Sequence, residues 1–450
     1  MQLFSLSLVT RKASEDSFWI HPVVHAWACE RLGARAKQTK TDEAIILCGQ
    51  IYTDRNEKPP NKWTFERRIW SHIESAQRRF FAIPRPSHDT IEITCEDRLW
   101  DATANLGRLY SDHGFQVQGI ALLKWTLDVQ EHHLGSKHPS TLSTIHTLAN
   151  SLRMQSEYAK ALDCYQVAFN GRIQTLGERD TATLDTINGM AMVISNQGNY
   201  DKALEWYQRA LHGKEKTLGK DHPSTLRTVN NMAVVFQNQR EYEKALEWYQ
   251  RALDGKEKTL GKGHPSTLDT VHNMANIFRK QSEYDKALVF SQRALEGYEK
   301  TLGQDHPSAL RTINNMANVF ANQGEYEKAL RWYQRALDCK EITLGKDNLS
   351  TLNTVRSMAS AFDAQNKFDK ALEWYYRALD GQVNALGCHH RSTLDTVRDI
   401  AVVFEHKGEH NKALEWYQQA LDGCETTLGK HHPSTLETAR DIAKLRTLNA

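Results

Sequence analysis

The sequence predicts an all-α solenoid built from stacked helical hairpins, and three observations carry that prediction. A leucine recurs every 42 residues, at Leu142, Leu184, Leu226, Leu268, Leu310, Leu352, Leu394 and Leu436. An alanine keeps the same step from Ala149 to Ala443, and a Lys-Ala-Leu triplet keeps it from Lys160 to Lys412. Each repeat holds two apolar stripes at three- and four-residue spacing, separated by a short polar break, which is the pattern of two amphipathic helices. One hairpin alone cannot bury both stripes. A stack of them buries a continuous strip, so copying a segment builds both the core and an extended surface.

Residues 1–96 lack the period. Phe4 to Val9 alternates like a strand or a helix end, and Phe18-Trp19-Ile20 reads as a short β-segment feeding a helix through His21-Pro22. Helices are predicted around Asp42 to Tyr52 and Trp63 to Phe80, on either side of the break Lys58-Pro59-Pro60-Asn61. The chain therefore divides into residues 1–40, a helical linker over 41–96, and repeats over 97–450. The first repeat is degenerate and covers about 97–138, with Trp100 at the leucine position and Gly107 and Gly119 at the two alanine positions. Eight complete repeats and a final half result.

Within one repeat, Leu226, Val229, Met232, Ala233 and Phe236 mark helix A, and Asn238-Gln239-Arg240 breaks it. Helix B follows with Tyr242, Ala245, Leu246, Tyr249, Ala252 and Leu253. So short a turn makes the two helices antiparallel. Leu260-Gly261 ends helix B, and His264-Pro265-Ser266-Thr267 opens the next helix A with proline where a missing N–H is tolerated. Ala233, Ala245 and Ala252 let the paired helices approach closely. Gly171, Gly213, Gly255, Gly297, Gly381 and Gly423 interrupt helix B, each at about 1 kcal/mol relative to alanine. Cys339 stands at that position in the sixth repeat. Something small is required there, for a close contact or for a bend. The Trp248-Tyr249 pair and its counterparts read as a core tyrosine and a tryptophan packed between repeats.

These positions resemble the tetratricopeptide repeat: a small residue, an aromatic three later, a tyrosine at the turn, then Ala245, Tyr249 and Ala252. The 42-residue length and the LGxxHPST connection resemble the variant found in kinesin light chains and in many fungal proteins. The resemblance implies a right-handed superhelix with helix A lining a concave groove. The string FWIHPVVHAW over 18–27 resembles the closing part of the winged-helix element that precedes the repeats in fungal NB-ARC proteins of the STAND, NLR-like class. It implies a small winged-helix remnant and a relationship to the C-terminal part of such proteins. The phosphate-binding pattern GxxxxGK[ST] is absent, and strings such as Gly213 to Asp221 have the wrong glycine spacing, so nucleotide binding by these residues is not expected. A kinesin light chain-like cargo adaptor is the alternative, and the missing heptads before the repeats count against it. A further alternative is part of a nucleotide-dependent switch whose NB-ARC domain lies outside this chain.

Composition excludes several classes. Lys plus Arg is 57 and Asp plus Glu is 55, a formal charge of +2 that gives no reason to expect nucleic acid or an anionic membrane. Mean hydropathy is −0.62 and no apolar run approaches a membrane span. Without a readable signal peptide, and with seven scattered cysteines, the expected location is the cytoplasm. Paired histidines such as His132-His133, His389-His390 and His431-His432 sit in or beside the repeated connection and do not converge like metal ligands, so no metal and no cofactor is expected. His222 with Ser224 lacks an acid partner and an oxyanion hole, so the chain is expected not to be an enzyme.

Comparing repeats separates scaffold from variable surface. The helix-A positions after the leucine vary, and those that share their face carry Asn230, Asn231, Asn273, Asn276, Asn314, Asn315 and Asn318, with Arg227 and Arg311 nearby. An amide offers a donor and an acceptor, so this row suits the backbone of an extended peptide, and the arginines suit acidic groups. The carboxylate-holding pattern of chaperone-binding tetratricopeptide domains is incomplete: Asn273, Arg311 and Asn315 fit, whereas Asn230 and Val234 stand where lysine and asparagine belong. Arg356, Arg398 and Arg440 alternate with Asp395, Asp399 and Asp441, a mixed surface without one preferred charge. The expected partner is a protein or peptide segment. Its identity and the oligomeric state are not legible.

Overall fold

The computed structural model describes residues 9–11, 18–20, 96–112 and 115–448, which fall into two compact units, one reaching Leu106 and the other beginning at Gly107. In the first, β1 (Val9–Arg11) pairs antiparallel with β2 (Phe18–Ile20), Val9 opposite Ile20 and Arg11 opposite Phe18. The strand read at 18–20 thus has a partner at the end of the alternating segment. The helices expected after His21, over 42–52 and over 63–80 lie outside the described residues. Helix α1 (Glu96–Asp112) carries the boundary between the units.

The second unit is a right-handed α-solenoid of antiparallel hairpins, the architecture that the period predicts. After α2 (Gln116–Leu134) the A helices are α3 (Pro139–Met154), α5 (Thr181–Asn196), α7 (Pro223–Asn238) and α9 (Pro265–Lys280). They continue as α11 (Pro307–Asn322), α13 (Leu349–Asp363), α15 (Arg391–His406) and α17 (Pro433–Leu448). The intervening B helices are α4 (Tyr158–Leu176), α6 (Tyr200–Thr217), α8 (Tyr242–Leu260) and α10 (Tyr284–Leu302). The last three are α12 (Tyr326–Thr343), α14 (Phe368–Leu386) and α16 (His410–Leu428).

The repeated histidine starts six of the eight A helices. His222 Nδ1 accepts a hydrogen bond from the Ser224 N–H at 3.2 Å, filling one of the helix's orphan donors, and His138, His264, His306, His390 and His432 do the same. Asp180 and Asn348 take over where the histidine is missing. The sequence reading assigns this punctuation to proline alone and misses the imidazole.

Packing explains the small residues. Ala233, Ala245 and Ala252 are completely buried. A Cβ on Gly255 would lie 2.6 Å from Leu226 Cδ2, and the other helix-B glycines face the leucine of their own A helix at 2.3–2.5 Å. The glycine is a socket for that leucine, which settles contact over bend. Leu226 keeps 1 % of its surface, a burial worth about 2 kcal/mol. In the final half repeat Leu436 is 41 % exposed, while Ile442 and Leu445 of the same helix are buried.

The tryptophans follow the expectation only in part. Trp206 meets Phe169 of the preceding hairpin at 6.0 Å, and Trp416 meets Tyr376 at 6.0 Å. Trp248, Trp332 and Trp374 instead pack on the phenylalanine of their own A helix, Phe236, Phe320 and Phe362. Trp206 differs because Ile194 stands where those repeats have phenylalanine. Between neighbouring B helices, Arg251, Arg293 and Arg377 form ion pairs with Glu215, Glu257 and Glu341.

Six hairpins complete a turn of this solenoid. His390 Nε2 lies 3.3 Å from the carbonyl oxygen of Met154 at the end of α3, and His432 Nε2 lies 3.2 Å from that of Asn196 at the end of α5. A Cβ on Gly198 would come within 2.5 Å of Pro433 Cδ, so the two turns touch directly.

Candidate peptide-binding face

Neighbouring A helices place their variable positions side by side. On α7, α9 and α11 all seven predicted asparagines are half-buried, and Arg227 and Arg311 are exposed. The arginines are paired: Arg227 with Asp185 and Arg311 with Asp269, each at 2.9 Å and each across to the preceding A helix. Their charge is therefore shared before any partner arrives.

The amides form a ladder that crosses from helix to helix. Asn230 Oδ1 accepts from Thr270 Oγ1 at 3.0 Å, and Asn231 Nδ2 donates to Asn188 Oδ1 at 3.5 Å. Asn315 Nδ2 donates to Asn276 Oδ1 at 3.0 Å and lies 2.8 Å from His272 Nε2, while its Oδ1 accepts from Asn318 at 3.5 Å. Tyr333 donates to Asn318 Oδ1. Asn273 reaches the hydroxyl of Tyr249. Asn314 Oδ1 is buried without a partner. Asn315 and Asn318 are thus committed to their neighbours, whereas Asn230 and Asn276 use their carbonyls inward and leave their Nδ2 donors for an acceptor.

Two further sets of residues shape this face from behind. The buried tyrosines of the B helices pass their hydroxyls between the A helices: Tyr165 donates to Asn150 at 2.7 Å, Tyr298 to Asp269 at 2.6 Å and Tyr417 to Glu405 at 2.8 Å. The residue after the socket glycine is a buried donor in most repeats. Lys256 Nζ reaches Ser266 O at 3.1 Å and Thr270 Oγ1 at 2.9 Å, and Lys340 Nζ reaches Ser350 O at 3.1 Å and Thr354 Oγ1 at 2.8 Å. Lys214 adds a 2.7 Å bond to Asp185, and Arg172 reaches Thr186 at 2.7 Å. Burial lowers Lys256 to about 8 and Lys340 to about 7. Burial, then Arg311, lowers His272 to about 3, which keeps it a neutral partner of Thr312 and Asn315. The Gly-Lys dipeptide was the available signal for the buried donors, and a sequence reading that explains only the glycine overlooks it.

Farther along the face the arginines are outnumbered. Arg356 pairs with Asp399 and approaches Asp395 at 4.0 Å; Arg398 pairs with Glu437 and Asp441, both at 3.0 Å. The surface expected to be mixed therefore carries an excess of carboxylate where one guanidinium serves two acids. Among the described residues no group of three or more His, Cys, Asp or Glu could hold a metal ion, and no helix is long and apolar enough to cross a membrane.

Tetratricopeptide repeat models match residues 141–181, 180–258, 224–300, 266–342, 308–382 and 390–449. Among solved structures, a Rap protein complexed with Competence and Sporulation Factor aligns over 82% of this chain and 97% of its own, at 14% identity and a TM-score of 0.55. The nearly identical TPR-like repeats of a Podosopora anserina protein align over 45% of this chain and 95% of their own, at 22% identity and a TM-score of 0.38. BtubC (BKLC) from P. vanneervenii aligns over 56% and 94%, at 21% identity and a TM-score of 0.41. No curated protein matches the sequence. Hairpin geometry, the small-residue sockets and repeat matches across more than half of its length lead to one conclusion: this chain belongs to the tetratricopeptide-repeat family.

Proposed function

We propose that the chain is a non-enzymatic scaffold whose inner face binds an extended peptide or protein segment, and that it serves as the recognition arm of a STAND-type, cytoplasmic protein. The observation that carries the binding reading is the row of half-buried amides on α7, α9 and α11, in which the Asn230 and Asn276 carbonyls accept from the neighbouring A helix and their Nδ2 groups stay available to a guest. Such donors suit the carbonyl oxygens of a strand-like guest whatever its sequence. The likeness to a Rap protein, itself complexed with Competence and Sporulation Factor, supports use of this fold for holding a partner. The STAND relationship is supported by FWIHPVVHAW and its strand Phe18–Ile20.

The experiment is selection of unstructured twelve-residue peptides from a displayed library, with the wild type and with a variant combining Asn230→Ala, Asn273→Ala and Asn276→Ala. Asn315 and Asn318 are left alone because they also hold His272 and the Tyr333 hydroxyl. Enrichment by the wild type and its loss in the variant, with unchanged helicity and a cooperative melt at most slightly lowered by the two lost interhelix bonds, is the expected result. Equal enrichment by both proteins overturns the placement on this face.

A further inference from the structure

The inner faces of α11, α13 and α15 border a half-open cavity of about 820 Å³, and its walls are mainly polar. Asn318, Asn353, Ser360, Arg356, Asp395 and Asp399 line it, and the hydroxyl-bearing Tyr333 and Tyr375 reach it from the B helices. Arg356 is the single basic side chain in that lining, against two carboxylates. It binds Asp399 through Nε at 2.5 Å and is 4.0 Å from Asp395, so Asp399 is satisfied and Asp395 is held only at the limit of an ion pair. The Asp395 side chain is 37% exposed, open to the cavity's contents.

This stoichiometry differs from that of the earlier repeats. Asp185 takes both Arg227 and Lys214 and Asp269 takes Arg311, so no acid is left in excess there, whereas Arg356 and Arg398 each face two acids. The excess of negative charge thus recurs one repeat later, in register with a guest lying along the face. A concave site concentrates such a field, and the amide and hydroxyl oxygens of its walls accept the remaining N–H groups of an ammonium or guanidinium. A metal ion does not fit the lining, because no three of its acidic or histidine groups converge among the described residues.

We propose that this cavity receives a cationic side chain, lysine or arginine, from the segment bound along the inner face. The inference rests on the peptide-binding reading above and adds the chemistry of one position in the guest.

The test uses fluorescein-labelled hexa-arginine and hexa-glutamate, with fluorescence anisotropy at near-physiological salt on the whole chain. The wild type binds hexa-arginine and leaves hexa-glutamate free. Asp395→Asn, which keeps the Arg356–Asp399 pair, weakens hexa-arginine binding by about tenfold or more at unchanged melting temperature. Glu243→Gln, an acid on the outer surface of α8, leaves binding as it was. Hexa-glutamate binding as tightly as hexa-arginine, undiminished affinity in Asp395→Asn, or no binding of hexa-arginine each overturns the inference. If these fail while the asparagine variant still loses its selected peptides, the groove reading stands and only the cationic position falls.

Discussion

His390 Nε2 meets the backbone carbonyl of Met154, which lies 236 residues earlier, while Nδ1 of the same ring caps helix α15 by accepting the Ser392 N–H. One imidazole therefore serves its own repeat and ties it to the previous turn of the solenoid. His432 repeats the arrangement with Asn196.

Asparagine separates these two roles, since Asn348 caps α13 through Oδ1 at 2.9 Å. The double variant His390→Asn/His432→Asn should keep its helicity and lose the contact between turns. Small-angle X-ray scattering should then report a larger radius of gyration. An unchanged radius would show that other contacts hold the turns together.

Acid should loosen the fold through its buried imidazoles. His272 is lowered from 6.5 to about 3 by burial and Arg311, and His390 and His432 are lowered by burial. With folded values below the unfolded one, the unfolded chain binds the proton first as pH falls. The stabilisation is complete above pH 6.5 and lost on acidification towards the folded values. For His272 alone the loss between pH 6.5 and about 5 is about 2 kcal/mol. His272→Asn introduces the side chain that Asn230 supplies at the same position one repeat earlier, and it should flatten that acid limb in urea titrations. A limb of unchanged slope would place the titration elsewhere.

Lys340 adds a second limb on the alkaline side. Burial lowers it from 10.5 to about 7, so between those values the unfolded chain holds more protons and stability rises with pH. Gln382 occupies the same position one repeat later, and it accepts from Thr396 Oγ1 at 2.7 Å. Lys340→Gln should therefore fold and abolish part of the rise in urea midpoint between about pH 7 and 10. An unaltered rise would mean that Lys340 stays charged in the folded protein.

Gly255→Ala sets helix propensity against packing. Alanine favours the helix by about 1 kcal/mol. A Cβ 2.6 Å from Leu226 Cδ2 overpacks the hairpin, and overpacking costs about 1–3 kcal/mol. The expected result is a net loss in denaturant midpoint, partly restored by Leu226→Val, which removes the δ-methyls. A gain of stability in the single variant would show that the socket tolerates a side chain.

Much of the helical framework was legible because the signals are local. An amphipathic stripe, a polar break and an LGxxHP connection act over one or two helical turns, and α7 and α8 end where Asn238 and Leu260 were read. The row of asparagines was legible as a variable face, since near-copies within one chain expose what packing leaves free. Its bonding was not, because whether Asn315 donates to Asn276 depends on how far one A helix is rotated against the next.

The sequence by itself determined a repeat, its hairpins and the side of each helix that packs, through periodicities shorter than five residues. Only the tertiary structure decided that arginines pair with acids 42 or 43 positions away, that glycines receive leucines, and that the Asp395 carboxylate is left in excess. It alone brought His390 to Met154. The physical reason is cumulative geometry: each hairpin adds a small rotation fixed by side-chain packing, and only their sum over six repeats closes a turn.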